Sequence, residues 1–102
     1  MIPAVRRFCW DEISLDKVTE MVSRKEICAD TDGLAQTYLK KGALVPLHAH
    51  DKPQWVYVLQ GALAVTIGAE TRVLREGEVL RISARIEHQA EAMEDTFVLD
   101  LR

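Results

Sequence analysis

The sequence predicts an all-β domain, an antiparallel sandwich or barrel, on three observations. Short runs rich in β-branched and aromatic residues recur along the chain, the clearest being Gln54 to Gln60, QWVYVLQ, which closes on Gly61. Turn signals built from glycine and acidic residues interrupt these runs about every 8 to 12 residues, the spacing of sandwiches and barrels. No segment sustains the apolar period of a long amphipathic helix.

The bulk properties bound the function. At 102 residues and 11.5 kDa, residues 1–102 read as one domain that buries about 60 to 70% of its unfolded surface. Apolar residues at 48% and charged residues at 28% suit a globular core rather than a disordered or fibrous chain. The net charge of -3 is spread in mixed sign, with no Lys/Arg block to follow a phosphate backbone, so no nucleic-acid partner is expected. No stretch approaches the roughly 20 apolar residues of a membrane span, and Arg6-Arg7 precede no signal-peptide core. A cytoplasmic protein without a membrane partner is expected. Cys9 and Cys28 lack CxxC spacing and read as reduced thiols.

Taken in order, residues 1–17 form an irregular arm containing Pro3, in which Asp11 or Ser14 caps at most one helical turn. Phe8 and Trp10 alternate across Cys9 and are expected to pack against the body or a sister subunit. Residues 18–30 waver between helical and strand spacing and are assigned to strands. Asp30 to Gly33 form a turn, with Gly33 available for positive φ, and Leu34 to Leu39 a strand ending at the Lys40-Lys41-Gly42 turn. Pro46 restricts its segment to a strand edge or end. In Gln54 to Gln60, Gln54, Val56 and Val58 face one side while Trp55, Tyr57 and Leu59 face the other. That second apolar face predicts a covered sheet, and a homodimer as its cover. Ala62 to Ile67 pairs back as a hairpin, and Thr71 to Leu74 returns after a turn at Gly68 to Glu70. Strands at Val79 to Ile82, His88 to Met93 and Thr96 to Leu101 follow, separated by turns at Arg75 to Glu78 and Glu94-Asp95.

The chemistry concentrates between Gly42 and Gly61, GALVPLHAHDKPQWVYVLQG. His48 and His50 stand two apart, so in a strand their imidazoles point to one side and can share a metal ion. The only other histidine is His88.

Gly42, five residues, His48-Ala49-His50, three residues, Gln54, six residues and Gly61 resemble the first motif of the cupin superfamily, with glutamine in place of the usual glutamate. Gly77 through His88 resembles the second motif, with Ser83 where proline is usual and Arg85 where glycine is usual; Ala92 replaces an asparagine often found four residues on. The resemblance implies a double-stranded β-helix, the cupin jelly-roll barrel, with one divalent metal held by His48, His50, Gln54 and His88. Three imidazoles and an amide oxygen suit a borderline ion such as Zn, Ni, Mn or Fe. A neutral amide leaves the ion's full charge on the site, which favours polarising a carbonyl or hydroxyl over cycling iron with oxygen.

Within the superfamily the chain resembles the small KdgF-type proteins of pectin and alginate breakdown, in the arm VRRFCWDEISLDKVTEMVSRK, the run LKKGALVPLHAH and the end HQAEAMEDTFVLDLR. That likeness implies conversion of a ring-form 4,5-unsaturated uronate to a linear keto acid, with Asp100 as the catalytic carboxylate. The family's proline-containing tail, which brings an aromatic and an arginine to the pocket, has no counterpart after Arg102. Arg85 and Arg102 are the candidates to pair the carboxylate of a small sugar acid. Two other function classes fit the same motifs: an iron-dependent cupin dioxygenase, and a non-catalytic metal- or sugar-binding cupin or engineered scaffold.

Overall fold

The computed structural model of the chain describes residues 5–102, so Pro3 and the start of the expected arm lie outside the described residues. The fold is a double-stranded β-helix, a jelly roll of two antiparallel sheets. Its strands are β1 (Asp16–Lys17), β2 (Val22–Ala29), β3 (Asp32–Leu39), β4 (Leu44–His48), β5 (Gln54–Gln60), β6 (Ala62–Ile67), β7 (Glu70–Arg75), β8 (Val79–Ile82), β9 (His88–Ala92) and β10 (Thr96–Leu101). A six-stranded sheet runs β1-β2-β3-β10-β5-β8 and a four-stranded sheet runs β4-β9-β6-β7. Among the described residues there is no α-helix, only a 3-10 turn over Trp10–Glu12.

Alternation places the core between the sheets. Val56 and Val58 of β5, Leu63 and Val65 of β6, Leu39 of β3, Ile82 of β8 and Val98 of β10 are buried together. Each such side chain stabilises the fold by about 1.5–3 kcal/mol relative to exposure. On β5 the predicted parity holds: Gln54, Val56 and Val58 are buried, and Trp55 and Tyr57 are exposed on the outer face.

Some sequence expectations are corrected. The arm is not wholly irregular, because β1 pairs with β2, and its 3-10 turn is preceded by Cys9 without a side-chain cap from Asp11 or Ser14. Phe8 is exposed with the Arg6 guanidinium 5.9 Å from its ring centroid, whereas Trp10 is half-buried and its carbonyl accepts a bond from Lys25 Nζ at 2.9 Å. In the β2–β3 hairpin the positive φ, 55°, belongs to Asp30 rather than Gly33, because Ala29 pairs with Asp32 and the turn is centred on Asp30-Thr31. Aspartate is among the few side chains that tolerate this region.

The larger correction concerns β5 and β6, which do not form a hairpin. β5 pairs with β10 and β8 in one sheet, and β6 with β7 and β9 in the other. Gly61, at φ +93°, is the corner where the chain changes sheets, and one residue is too short for a paired hairpin loop. A Cβ there would lie 2.4 Å from the Asp95 carbonyl oxygen and 2.7 Å from Thr96 Oγ1, so the position excludes any side chain. Thr96 completes the corner: its Oγ1 accepts from the Ala62 amide at 3.2 Å and lies 3.0 Å from the Ala62 carbonyl oxygen.

Pro46 lies inside β4, an edge strand, where the pairing with β9 shifts register between Val45 and His48. The missing N–H thus falls where the ladder is already interrupted.

Candidate metal centre

His48 and His88 are cross-strand partners of β4 and β9, with ring centroids 4.2 Å apart. His50 lies in the loop just beyond β4, so the two histidines do not share a strand as expected. The loop is held instead by the Arg85 amide, which donates to the His50 carbonyl oxygen at 2.7 Å. The three imidazoles still converge, each offering a nitrogen within 4.8 Å of the others.

Two rings are oriented by backbone. His48 Nδ1 lies 2.7 Å from the Pro46 carbonyl oxygen and His88 Nδ1 2.9 Å from that of Ile86. A carbonyl can only accept, so each Nδ1 carries the proton and each Nε2 keeps its lone pair free. His50 has its pKa lowered, first by partial burial, then by the charges of Arg102, His48, His88 and Arg24. A neutral imidazole is the form that binds metal.

Gln54, the first residue of β5, is buried, and its amide is divided. Nε2 donates to Asp100 Oδ1 at 2.9 Å, while Oε1 is buried without any partner. A buried, unsatisfied acceptor costs about 1–3 kcal/mol, and a cation beside it removes that cost. The three imidazoles could therefore hold a divalent ion, and Gln54, with its unspent oxygen, lines the same cavity.

Asp100, on β10, is half-buried, and its Oδ2 accepts from Thr37 Oγ1 at 3.2 Å. Burial pushes its carboxyl pKa up, against the opposing pull of the Gln54 and Thr37 hydrogen bonds and of Arg102 and Arg24. Both groups open onto a cavity of about 470 Å³ between the sheets, lined by the three histidines, Gln54, Asp100 and Arg102 among others. This is within the usual volume of a small-molecule site.

Of the two candidate arginines, Arg102 lines this cavity, whereas Arg85 is exposed and is not among the lining residues. Arg85 has a backbone role, at φ 66°, with its amide on His50. Sequence reasoning missed Thr37 and Arg24, which also line the cavity. The parity of β2, with Val22 buried, was the signal that would have placed Arg24 inside.

A family model described as "Cupin domain" matches residues 36–101. Among solved structures, the chain is similar to KdgF from Halomonas sp., with 28% identity, a TM-score of 0.85, and coverage of 95% of this chain and 91% of that one. It also resembles an RmlC-like cupin from Shewanella frigidimarina, at 19% identity and TM-score 0.85 over 95% and 89% of the two chains. Oxalate decarboxylase from Bacillus subtilis matches at 21% identity and TM-score 0.83, over 92% of this chain and 28% of that longer one. No curated protein matches the sequence. Since the family match spans both histidine-bearing segments and most of the jelly roll, the chain belongs to the cupin family.

Proposed function

We propose that the chain is a metal-dependent enzyme that converts a 4,5-unsaturated uronate, or a similarly small sugar acid, from its ring form to the linear keto form. The observation that carries this is the divided amide of Gln54, which leaves an orphaned oxygen in the wall of the cavity the histidines line and ties its nitrogen to Asp100. A proton-handling carboxyl is thereby fixed beside the ligand set. The likeness to KdgF from Halomonas sp. supports the same substrate class.

Bound to His48, His50, His88 and Gln54, a divalent ion such as Zn, Ni, Mn or Fe supplies Lewis acidity toward a ring hydroxyl or carbonyl oxygen. The chain's own part is proton movement and positioning. Ring opening breaks the bond between the anomeric carbon and the ring oxygen, and the anomeric hydroxyl loses its proton as the aldehyde forms. The ring oxygen leaves as an enolate, which becomes the ketone when the neighbouring carbon gains a proton. Asp100 takes the first proton and returns one to carbon, so the isomerisation balances without a co-reactant. Its raised pKa brings it closer to the working pH than an ordinary aspartate. Arg102 pairs the substrate carboxylate at the cavity wall.

The protein acts in the cytoplasm as a homodimer in this proposal. The exposed Trp55 and Tyr57 on the outer face of the six-stranded sheet support an apolar interface there. No helix among the described residues is long and apolar enough to cross a membrane.

The test is metal analysis of the purified protein, then incubation of metal-loaded wild type and Asp100→Ala with unsaturated galacturonate while following loss of the ring-form absorbance. Turnover by wild type, reduced at least 100-fold in the variant on the order of general acid/base effects, is expected. Absence of turnover by fully loaded wild type sinks the proposal. Oxygen uptake by iron-loaded protein would instead indicate a dioxygenase.

A further inference from the structure

Arg24 is the unexplained charge of the cavity. It lies on β2 opposite Thr37 of β3, and Thr37 in turn bonds Asp100 of β10. Arg24, Thr37, Asp100 and Arg102 all line the cavity that holds the histidines. The charges of Arg24 and Arg102 act on both His50 and Asp100, so they are felt at the ligand set.

These two guanidinium groups share a single carboxylate. Arg24 Nη2 lies 3.1 Å and Arg102 Nη2 3.9 Å from the same oxygen, Oε2 of Glu26. Glu26 is not among the cavity-lining residues, and Arg24 Nε is buried without a hydrogen-bond partner. One buried donor is thus unspent. Nε and Nη2 form one edge of the guanidinium, of which Glu26 takes only Nη2, and a carboxylate is the planar anion that matches the whole edge.

We infer that Arg24, with Arg102, forms a carboxylate-binding subsite in the wall of the metal cavity, in which Glu26 competes with the ligand for the same two guanidinium groups. The ligand class is a small hydroxy or keto acid, whose carboxylate meets Arg24 while a neutral oxygen reaches the metal ligands. The inference rests on the metal-centred function proposed above and names the residue that selects acids over neutral sugars. Arg24 is a binding residue here, and Glu26 tunes it.

The experiment is calorimetric titration of zinc-loaded protein with galacturonate, glycolate and neutral galactose, using wild type, Arg24→Gln and Glu26→Gln, with zinc content measured in each. Arg24→Gln should weaken both acids by about ten-fold or more, the scale of a lost charge-assisted hydrogen bond, at unchanged zinc content. Glu26→Gln should tighten both acids several-fold, and neither change should move galactose. If Arg24→Gln does not fold, the direction of the Glu26→Gln effect decides. Equal affinity of the acids for wild type and the variants, or no binding of either acid to wild type, overturns the subsite. Turnover of unsaturated galacturonate by Arg24→Gln at wild-type KM overturns it too, leaving the proposed reaction intact. Arg24-dependent binding of glycolate and galacturonate, without turnover by wild type, leaves the subsite and removes the reaction.

Discussion

Replacing Gln54 by glutamate places a second carboxyl where the amide nitrogen now donates to Asp100 Oδ1 at 2.9 Å. With an effective dielectric constant of about 20, two full charges at that separation repel by about 6 kcal/mol. The pair escapes most of that by keeping one proton. Holding a glutamic acid of ordinary pKa about 4.3 protonated at pH 7 costs about 4 kcal/mol, which is the smaller figure and sets the ceiling. The folded-state pKa is raised above the unfolded value. Stability is therefore intact below about pH 4 and declines as pH rises toward the pKa of the folded pair. For the metal-free variant this predicts a melting temperature lower by on the order of 10–20 °C at pH 7.5, and close to wild type at pH 4.5. Metal reverses the sign, because a carboxylate in place of the orphaned Oε1 adds an opposite charge to the ligand set. Zinc should bind the variant more tightly than wild type at pH 7.5. The assays are thermal melts at both pH values and zinc titration with a competing chelator. A metal-free variant as stable as wild type at pH 7.5, or weaker zinc binding, would refute the proposed position of Gln54 between Asp100 and the metal.

Other outcomes follow from the same geometry. Gly61→Ala forces a Cβ to within 2.4 Å of the Asp95 carbonyl oxygen at φ +93° and should cost at least about 2–3 kcal/mol in urea unfolding; a loss below 1 kcal/mol contradicts the corner's role. Arg85→Gly relieves a left-handed residue at φ 66° and should raise stability by up to about 1 kcal/mol, whereas Arg85→Val should lower it. Zinc affinity should fall steeply below about pH 6, as protons compete for the imidazoles. His50 resists longest in the sense that its pKa is lowered, so stability linked to it is present at neutral pH and is lost as pH falls below the ordinary histidine range. A calorimetric zinc titration unchanged between pH 5 and 7 excludes the histidine set. Trp55→Glu on the exposed outer face should shift sedimentation from dimer to monomer, and a wild-type monomer at micromolar concentration removes the homodimer.

Much of the site was legible in the residue spacings. His48, His50, Gln54 and His88 are brought into one cavity, though His50 reaches it from a loop rather than a strand. Arg85 was misplaced because spacing gives its position along the chain and not its direction: its left-handed backbone presents the amide to His50 and leaves the side chain exposed. Arg24 was missed because its relevance depends on β2 lying beside β3, and β3 beside β10.

Strand limits are local properties, set by alternation and turn chemistry, and so the sequence alone marks β5, β6, β8 and β10 at their observed ends. Pairing is not local. Whether β5 meets β6 or β10 depends on the angle at which Gly61 turns the chain and on which sheet then buries each apolar face. That choice decides that Gln54 touches Asp100, 46 residues away, and that Arg24 stands in the same wall. The three histidines and Gln54 were therefore legible in the sequence's spacing, while the hydrogen-bond partners of Asp100 and the place of Arg24 in the cavity wall arise only from the tertiary neighbours of β10.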